Sequence, residues 1–249
     1  MKISSVVHMV EQDGIVQITM EDRQHKNMFS EQLIEGLRES FATIEHLPQC
    51  KVVILTGYDN YFASGGTQEG LLAIQDGRSK FTDLNLYSLA LNCRVPVISA
   101  MQGHGIGGGF VMGLFSDVII LSQESIYNTN FMKYGFTPGF GSTYIVPRKL
   151  GFALAQEMLL TAENYRGAEL AQRGVPFKVL PRTEVLQYAY KIAESLADKP
   201  TESLITLKDH LVASIRSELG PIIQEELQMH EKTFHQEGVR QRIVSLFGQ

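Results

Sequence analysis

Gly103-His104-Gly105-Ile106-Gly107-Gly108-Gly109-Phe110 is the stretch on which the reading of this chain turns. The apolar run Val95-Pro96-Val97-Ile98-Ser99-Ala100-Met101 precedes it and reads as a buried strand. Val111-Met112-Gly113-Leu114-Phe115 follows and reads as a buried helix. Three consecutive glycines between a strand and a helix let the backbone turn sharply and let a ligand approach the peptide N–H groups. The helix start adds unpaired N–H donors and the positive end of its dipole. The stretch suits an oxyanion or a phosphate, and equally a tight turn where a helix packs closely on a strand.

A second turn of the same kind lies upstream. Lys51-Val52-Val53-Ile54-Leu55-Thr56-Gly57 is a β-branched run ended by glycine, so a buried strand. Tyr61-Phe62-Ala63-Ser64-Gly65-Gly66-Thr67 follows and opens a short helix that Gly77 ends. If the two strands are neighbours in a sheet, N–H groups from both turns can converge on one atom. Two backbone donors aimed at a developing negative oxygen form an oxyanion hole. Other glycine motifs fit less well. Gly103 to Gly108 spells G-x-G-x-x-G, but it lies mid-chain and lacks an acidic ribose partner after the following strand. No Gly-Lys-Ser/Thr follows, and there is no G-x-S-x-G.

The remaining pattern is α/β. Val6–Met9 and Ile15–Met20 alternate around Asp13-Gly14, as a hairpin does. Asp22 to Asn27 is a polar connection. Ser30 reads as an N-cap for a helix carrying Leu33, Leu37, Phe41 and Ile44. Lys80 to Asn92 reads as a helix with Lys80, Leu84, Tyr87 and Leu91 on one face. Val118–Leu121 is a further strand, and Phe131–Ser142 a structured loop rich in glycine and aromatics. Helical patterns cover Leu150–Leu160, Gly167–Arg173 and Val185–Ala197, interrupted by an extended Gly174–Leu180. Ser203–Phe247 is helical with an expected break at Gly220-Pro221. The expectation is an α/β core over residues 1–199 and a helical region over 200–249, divided at Lys199-Pro200.

Bulk properties narrow the function classes. The 249 residues carry a net charge of −5 with Lys and Arg scattered, which argues against nucleic-acid binding. Cys50 and Cys93 form no CxxC or Cys/His cluster, so neither a zinc site nor a disulfide framework is expected. Met1-Lys2-Ile3-Ser4-Ser5 does not open like a signal peptide, and no apolar run nears the ~20 residues of a membrane span. A cytoplasmic protein is the expectation.

The pairing of Phe62-Ala63-Ser64-Gly65-Gly66 with Gly103–Gly109, followed by Pro138-Gly139-Phe140-Gly141-Ser142-Thr143, resembles the crotonase (enoyl-CoA hydratase/isomerase) superfamily. The likeness runs from about Val6 to the C-terminus. It implies a crotonase-like spiral of repeated ββα turns with a helical C-terminal region, assembled as a homotrimer or a dimer of trimers. It also implies that the N–H groups of Gly66 and Gly108 form an oxyanion hole for a thioester carbonyl. Ala63, Gly65, Gly107, Val111, Phe131 and Tyr134 would lie along the substrate.

The reaction must be chosen by side chains rather than by fold. Where hydratases of the family carry two glutamates, this chain has Val111 and Phe131. Neither can activate water, so hydration is not expected. An isomerase would need a carboxylate elsewhere, and Glu69 and Glu124 stay open. The strings Met101-Gln102-Gly103-His104-Gly105, Asn130–Pro138, Tyr165-Arg166-Gly167 and Glu225–His230 look like a narrower branch. That branch is the hydratase-like decarboxylases of polyketide β-branching, especially the free-standing bacillaene-pathway type.

The resemblance implies a 3-methylglutaconyl thioester on an acyl carrier protein, or on CoA, decarboxylated to a 3-methylcrotonyl or isomeric thioester. It implies no metal and no cofactor beyond the carrier's phosphopantetheine. Lys80, on a face with Leu84, Tyr87 and Leu91, is either a snorkelling lysine or a buried-site one. His230 lies on the stripe Ile223, Leu227, His230, Phe234. A lone histidine on an apolar face is commonly a core residue. The resemblance gives both residues catalytic roles, with Lys80 at the departing carboxylate and His230 assisting protonation at carbon. His104 reads as structural. The competing readings are an enoyl-thioester isomerase and a non-catalytic carrier-binding protein.

Overall fold

Asp13 and Gly14, with φ of 53° and 81°, turn β1 (Val7–Gln12) back into β2 (Ile15–Met20). Both positive φ values match the twist of a two-residue hairpin. The computed structural model that gives this geometry describes residues 4–83 and 85–248. Ser30 caps α1 (Glu31–Glu45), its Oγ accepting from the Leu33 N–H. The buried residues Leu33, Leu37, Phe41 and Ile44 form the helix's inner stripe.

Three units of strand, short strand and helix come next. The first is β3 (Val52–Thr56), β4 (Tyr61–Ala63) and α2 (Gln68–Gln75). After α3 (Leu89–Asn92), the second is β5 (Val97–Met101), β6 (His104–Ile106) and α4 (Gly108–Leu114). The third is β7 (Val118–Ser122), β8 (Ile126–Asn128) and, past a short turn of 3-10 helix at Met132–Tyr134, α5 (Ser142–Leu150). The chain continues through α6 (Phe152–Thr161), β9 (Tyr165–Arg166), α7 (Gly167–Gln172), β10 (Lys178–Leu180) and α8 (Arg182–Ala197). It ends with α9 (Thr201–Thr233) and α10 (Glu237–Leu246).

The long strands make a six-stranded sheet in the order β1-β2-β3-β5-β7-β10, parallel except for the hairpin. The short strands make a second sheet in the order β4-β6-β8-β9. Each ββα unit therefore contributes one strand to each sheet. Alternation along the large sheet divides its side chains between two cores. Val53, Leu55, Val97 and Leu121 join the main cluster, while Val52, Ile54, Ile98 and Ile120 pack against Val185, Ala189 and Ala193 of α8. Burial on both faces explains why these strands read as continuous apolar runs.

Two expectations are corrected. Lys80–Asn92 is not one helix. Asp83 Oδ2 accepts from the Lys80 N–H, Phe81–Asp83 is a single turn of 3-10 helix, and Asn85 has φ of 46°. A residue in the left-handed region stops a right-handed helix, so only Leu89–Asn92 continues as α3. Lys80 and Tyr87 therefore share no helix face, and Leu84 lies outside the described residues. The second correction concerns Gly220-Pro221, where α9 runs on without a break. Proline deprives the Ser217 carbonyl of its partner, but Ser217, Gly220 and Pro221 are exposed, so water can replace it. Leu219 and Ile223 are buried on either side and hold the helix to the core. Among the described residues no helix is long and apolar enough to cross a membrane.

Candidate active site

The two glycine turns meet because their strands are neighbours. β3 pairs with β5 and, one layer on, β4 pairs with β6, all in parallel. The first turn leaves β4 as Ser64-Gly65-Gly66, and Thr67 caps α2 by accepting from the Gly70 N–H. Gly65 has φ of 74°, and a Cβ there would sit 2.8 Å from the Ile106 carbonyl oxygen and 3.3 Å from the Gly108 nitrogen. Only glycine allows both that conformation and that approach. The second turn enters α4 at Gly108, whose N–H, in the first helical turn, has no intrahelical acceptor. Among the described residues neither the Gly66 nor the Gly108 amide donates to a protein acceptor. Both line a cavity of about 550 Å³.

The loop from Asp22 to Phe29 braces the first turn, a role its sequence did not disclose. Asn27, fully buried with φ of 52°, donates from Nδ2 to the Met20 and Phe62 carbonyls. Its own carbonyl accepts from the Ser64 N–H, and the Phe29 N–H donates to the Gly65 carbonyl. Asp22, also buried, accepts from His25 and from the Ser30 hydroxyl. The second turn is held by Asn128, whose carbonyl and Oδ1 both accept from the Gly107 N–H.

The rest of the cavity wall is aromatic and cationic. Phe131, Tyr134 and Phe136 form one side, with the Tyr134 and Phe136 rings stacked at 6.0 Å. Lys26 and Lys133 also line it, and no Asp or Glu does among the described residues. Neither lysine stood out in the sequence, because a lysine in a polar loop carries no periodic signal. His104 lines the cavity too, and its Nδ1 accepts from the Ile126 N–H. That bond fits the structural role expected of it and leaves the proton on Nε2. Burial lowers its pKa, so the ring favours the neutral form.

Of the residues expected along the substrate, Gly65, Gly107, Phe131 and Tyr134 line the cavity. Ala63 and Val111 do not. Both are fully buried in the main core, Ala63 against Gly109 and Val111 within α4, all of whose residues are buried. Glu69 and Glu124 are exposed and do not line the cavity, and Glu124 accepts from Ser122 and Arg182.

Lys80 and His230 line a second cavity, of about 190 Å³, together with Ile74, Phe81 and Phe234. The structure brings these two residues together but places the glycine turns in the larger cavity. The cavities adjoin. Leu71 of α2 faces the large one and Ile74, three residues on, the small one. Phe136 lines the large cavity, and its ring lies edge-on to His230 at 6.0 Å. Lys80 is exposed. His230 is buried, and its Nε2 lies 2.8 Å from the Thr137 carbonyl oxygen. A carbonyl can only accept, so Nε2 carries the proton and Nδ1 is left as the acceptor. Among the described residues no group of three His, Cys, Asp or Glu side chains is placed to hold a metal ion.

Burial pushes the His230 pKa down to about 4. The unfolded ring titrates near 6.5, so between these values the unfolded chain binds the extra proton. The stability that this buried neutral ring contributes is complete above pH 6.5 and is lost as pH falls toward 4. It amounts to roughly 3 kcal/mol. We expect the urea midpoint of the wild type to fall more steeply from pH 6.5 to 4 than that of His230→Gln. Parallel pH curves for the two proteins would contradict the assignment.

The comparisons with known proteins agree with this geometry. The sequence pattern described as enoyl-CoA hydratase/isomerase matches residues 10–246. The bacillaene synthase decarboxylase PksI of Bacillus subtilis (strain 168) is 65% identical over 245 residues, covering 98% of each chain. A solved structure from a dehydratase/decarboxylase enzyme couple of polyketide β-branching superposes with a TM-score of 0.98 at 65% identity, over 98% of this chain and all of that one. The ECH2 decarboxylase domain of CurF from Lyngbya majuscula superposes with a TM-score of 0.93 at 47% identity, over 98% and 100% of the two chains. Two converging glycine turns on a spiral of ββα units, and a sequence match over nearly the whole length, place this chain in the enoyl-CoA hydratase/isomerase family.

Proposed function

We propose that this protein decarboxylates a 3-methylglutaconyl thioester carried on an acyl carrier protein, giving a 3-methylcrotonyl or isomeric thioester during polyketide β-branching. The observation that carries the reading is a cavity with two unpartnered amides, two lysines and no carboxylate among the described residues that line it. Such a site can accept a negative oxygen and an anionic substrate, but it has no carboxylate to activate water. The identity to decarboxylases of polyketide β-branching supports the same choice. An isomerase dependent on Glu69 or Glu124 is disfavoured because neither side chain lines the cavity.

The chemistry needs an electron sink and a proton. The bond between the carboxylate carbon and the substrate breaks, and CO2 leaves. The electron pair passes through the double bond to the thioester oxygen, giving a dienolate. The Gly66 and Gly108 N–H groups hold that oxygen. Lys80 binds the departing carboxylate. Its ammonium, or a water, then delivers a proton to carbon, oriented by the unprotonated Nδ1 of His230. The substrate's own thioester is the sink, so no metal or further cofactor enters. The acyl end must extend past Phe136 from the large cavity toward the small one. Exposed Phe152 and Leu160 on α6, with Leu207 and Leu211 on α9, suit burial between copies in a homotrimer or a dimer of trimers.

The test is the intact mass of the carrier protein loaded with the 3-methylglutaconyl group. Decarboxylation removes the mass of CO2, whereas an isomerase conserves mass. Lys80→Ala and His230→Ala should each slow this loss by about 10²-fold, the scale of a positioned proton-transfer group. An unchanged carrier mass with folded wild-type protein would sink the decarboxylase reading. Wild-type turnover in both variants would remove the two residue assignments.

A further inference from the structure

Glu226 is a fully buried carboxylate that the proposed chemistry does not use. It lies on α9 one helical turn before His230. Its Oε2 accepts from the Gly141 N–H at 2.7 Å, and its Oε1 from the Thr143 N–H at 2.9 Å and the Thr143 hydroxyl at 2.6 Å. Burial raises its pKa to about 7, against the pull of these donors. They belong to the first turn of α5, where Gly141 has no side chain to act as a cap. Glu226 thus caps α5 from another helix.

The loop it holds touches both halves of the site. At one end, Thr137 gives its carbonyl to His230 Nε2 and its N–H to the Thr233 hydroxyl. Gly139 lies against the His230 ring, where a Cβ would sit 2.7 Å from Cε1. Phe140 stacks on Phe29 at 5.5 Å, and both rings lie beside Gly108. Phe140 and Gly141 have φ of 66° and 74°. A bulky residue keeps such a conformation only when its surroundings hold it there. Glu226 grips the backbone directly after strained Phe140, at Gly141 and Thr143.

We infer that Glu226 is a positioning residue: by holding Gly141 and Thr143 it fixes the loop that sets His230 relative to the Gly108 amide. The inference rests on the reading that these groups serve one reaction. Glu226→Gln keeps an acceptor for Thr143 but turns an amide N–H toward the Gly141 N–H, which loosens the strained end of the loop. Misplacement by about 1 Å costs on the order of 10²-fold in rate. The expected result is therefore a kcat lowered by about 10²-fold with KM changed much less.

The experiment uses full-length protein with ¹⁵N-labelled histidine. Turnover of the 3-methylglutaconyl carrier protein is measured beside the ring resonances of His230, assigned by their loss in His230→Ala. A shifted His230 resonance in Glu226→Gln, together with the kcat loss, supports the inference. An unchanged resonance overturns it, whatever the turnover. If His230→Ala turns over like the wild type while the Glu226→Gln resonance has shifted, the catalytic reading of His230 fails and the positioning role stands. If Glu226→Gln does not fold, Thr143→Val and Thr143→Ser decide. The serine should keep wild-type kcat and resonance and the valine should lose both; identical behaviour of the two overturns the inference.

Discussion

Gly109→Ala is expected to abolish measurable turnover of the carrier-bound thioester and to lower stability. Gly109 is inside α4, where replacing glycine by alanine normally favours the helix by about 1 kcal/mol. Here the added Cβ would sit 2.1 Å from the Ala63 carbonyl oxygen and 2.4 Å from its carbon. These are backbone atoms of β4 and cannot move aside like the end of a side chain. α4 must back away from the first turn, which separates the Gly108 amide from that of Gly66. Losing one oxyanion donor typically costs about 10²–10³-fold. Misaligning both is expected to cost about 10⁴-fold or more. Overpacking should also cost about 1–3 kcal/mol of folding stability. Gly238→Ala is the matched control, because Gly238 is exposed on α10 and its Cβ meets nothing within 4 Å. It should raise stability by about 1 kcal/mol and leave turnover alone. Wild-type turnover and an unshifted urea midpoint in Gly109→Ala would show that the two turns do not depend on this contact.

Lys208→Met is expected to carry the largest stability cost. Lys208 is 3% exposed, and its Nζ lies 2.8 Å from Asp117 Oδ2. The same nitrogen donates to the Ala90 and Val95 carbonyls at 2.9 Å each. This ammonium pins α9, which carries Glu226 and His230, to α3, to the segment after it and to the turn before β7. Removing it leaves a charged carboxylate and two carbonyls without their donor. Breaking one side of a fully buried pair costs about 3–5 kcal/mol, and the partial exposure of Asp117 places this pair at the lower end. Asp117→Asn in the same chain should recover part of that loss. Its side-chain oxygen can still accept from the Val97 N–H, which now donates to Asp117 at 2.7 Å, and no charge is left unpaired. Denaturant unfolding of the single and double variants measures both quantities. A midpoint for Lys208→Met close to that of the wild type would remove the anchor from the account of α9.

Much of the fold was legible because its strands are buried on both faces. Val52–Thr56, Val97–Met101 and Val118–Ser122 are apolar runs whose lengths and flanking turns mark them as parallel strands. The second sheet was not legible. Its strands are two or three residues long, too short for a period to show, and β6 lies inside the glycine stretch itself. The segment after α2 misled for a different reason. Lys80, Tyr87 and Leu91 sit at helical spacing, but Asn85 in the left-handed region breaks the run. At Gly220-Pro221 the error ran the other way. Local propensity argued for a break, and the burial of Leu219 and Ile223 kept the helix whole.

By itself the sequence determined the two glycine turns, the strands that carry them and the absence of glutamates at Val111 and Phe131. These are local properties: backbone freedom, run length and side-chain identity. Only the tertiary structure decided what lies across space from them. It placed Val111 in the core, Lys80 and His230 in a cavity beside the one holding Gly66 and Gly108, and Glu226 under the loop that joins the two. Those placements depend on parallel pairing of strands distant in sequence and on the docking of a C-terminal helix against residues some 85 positions earlier. Sequence periodicity carries no record of either, because each is set by packing between elements and not by the pattern within one.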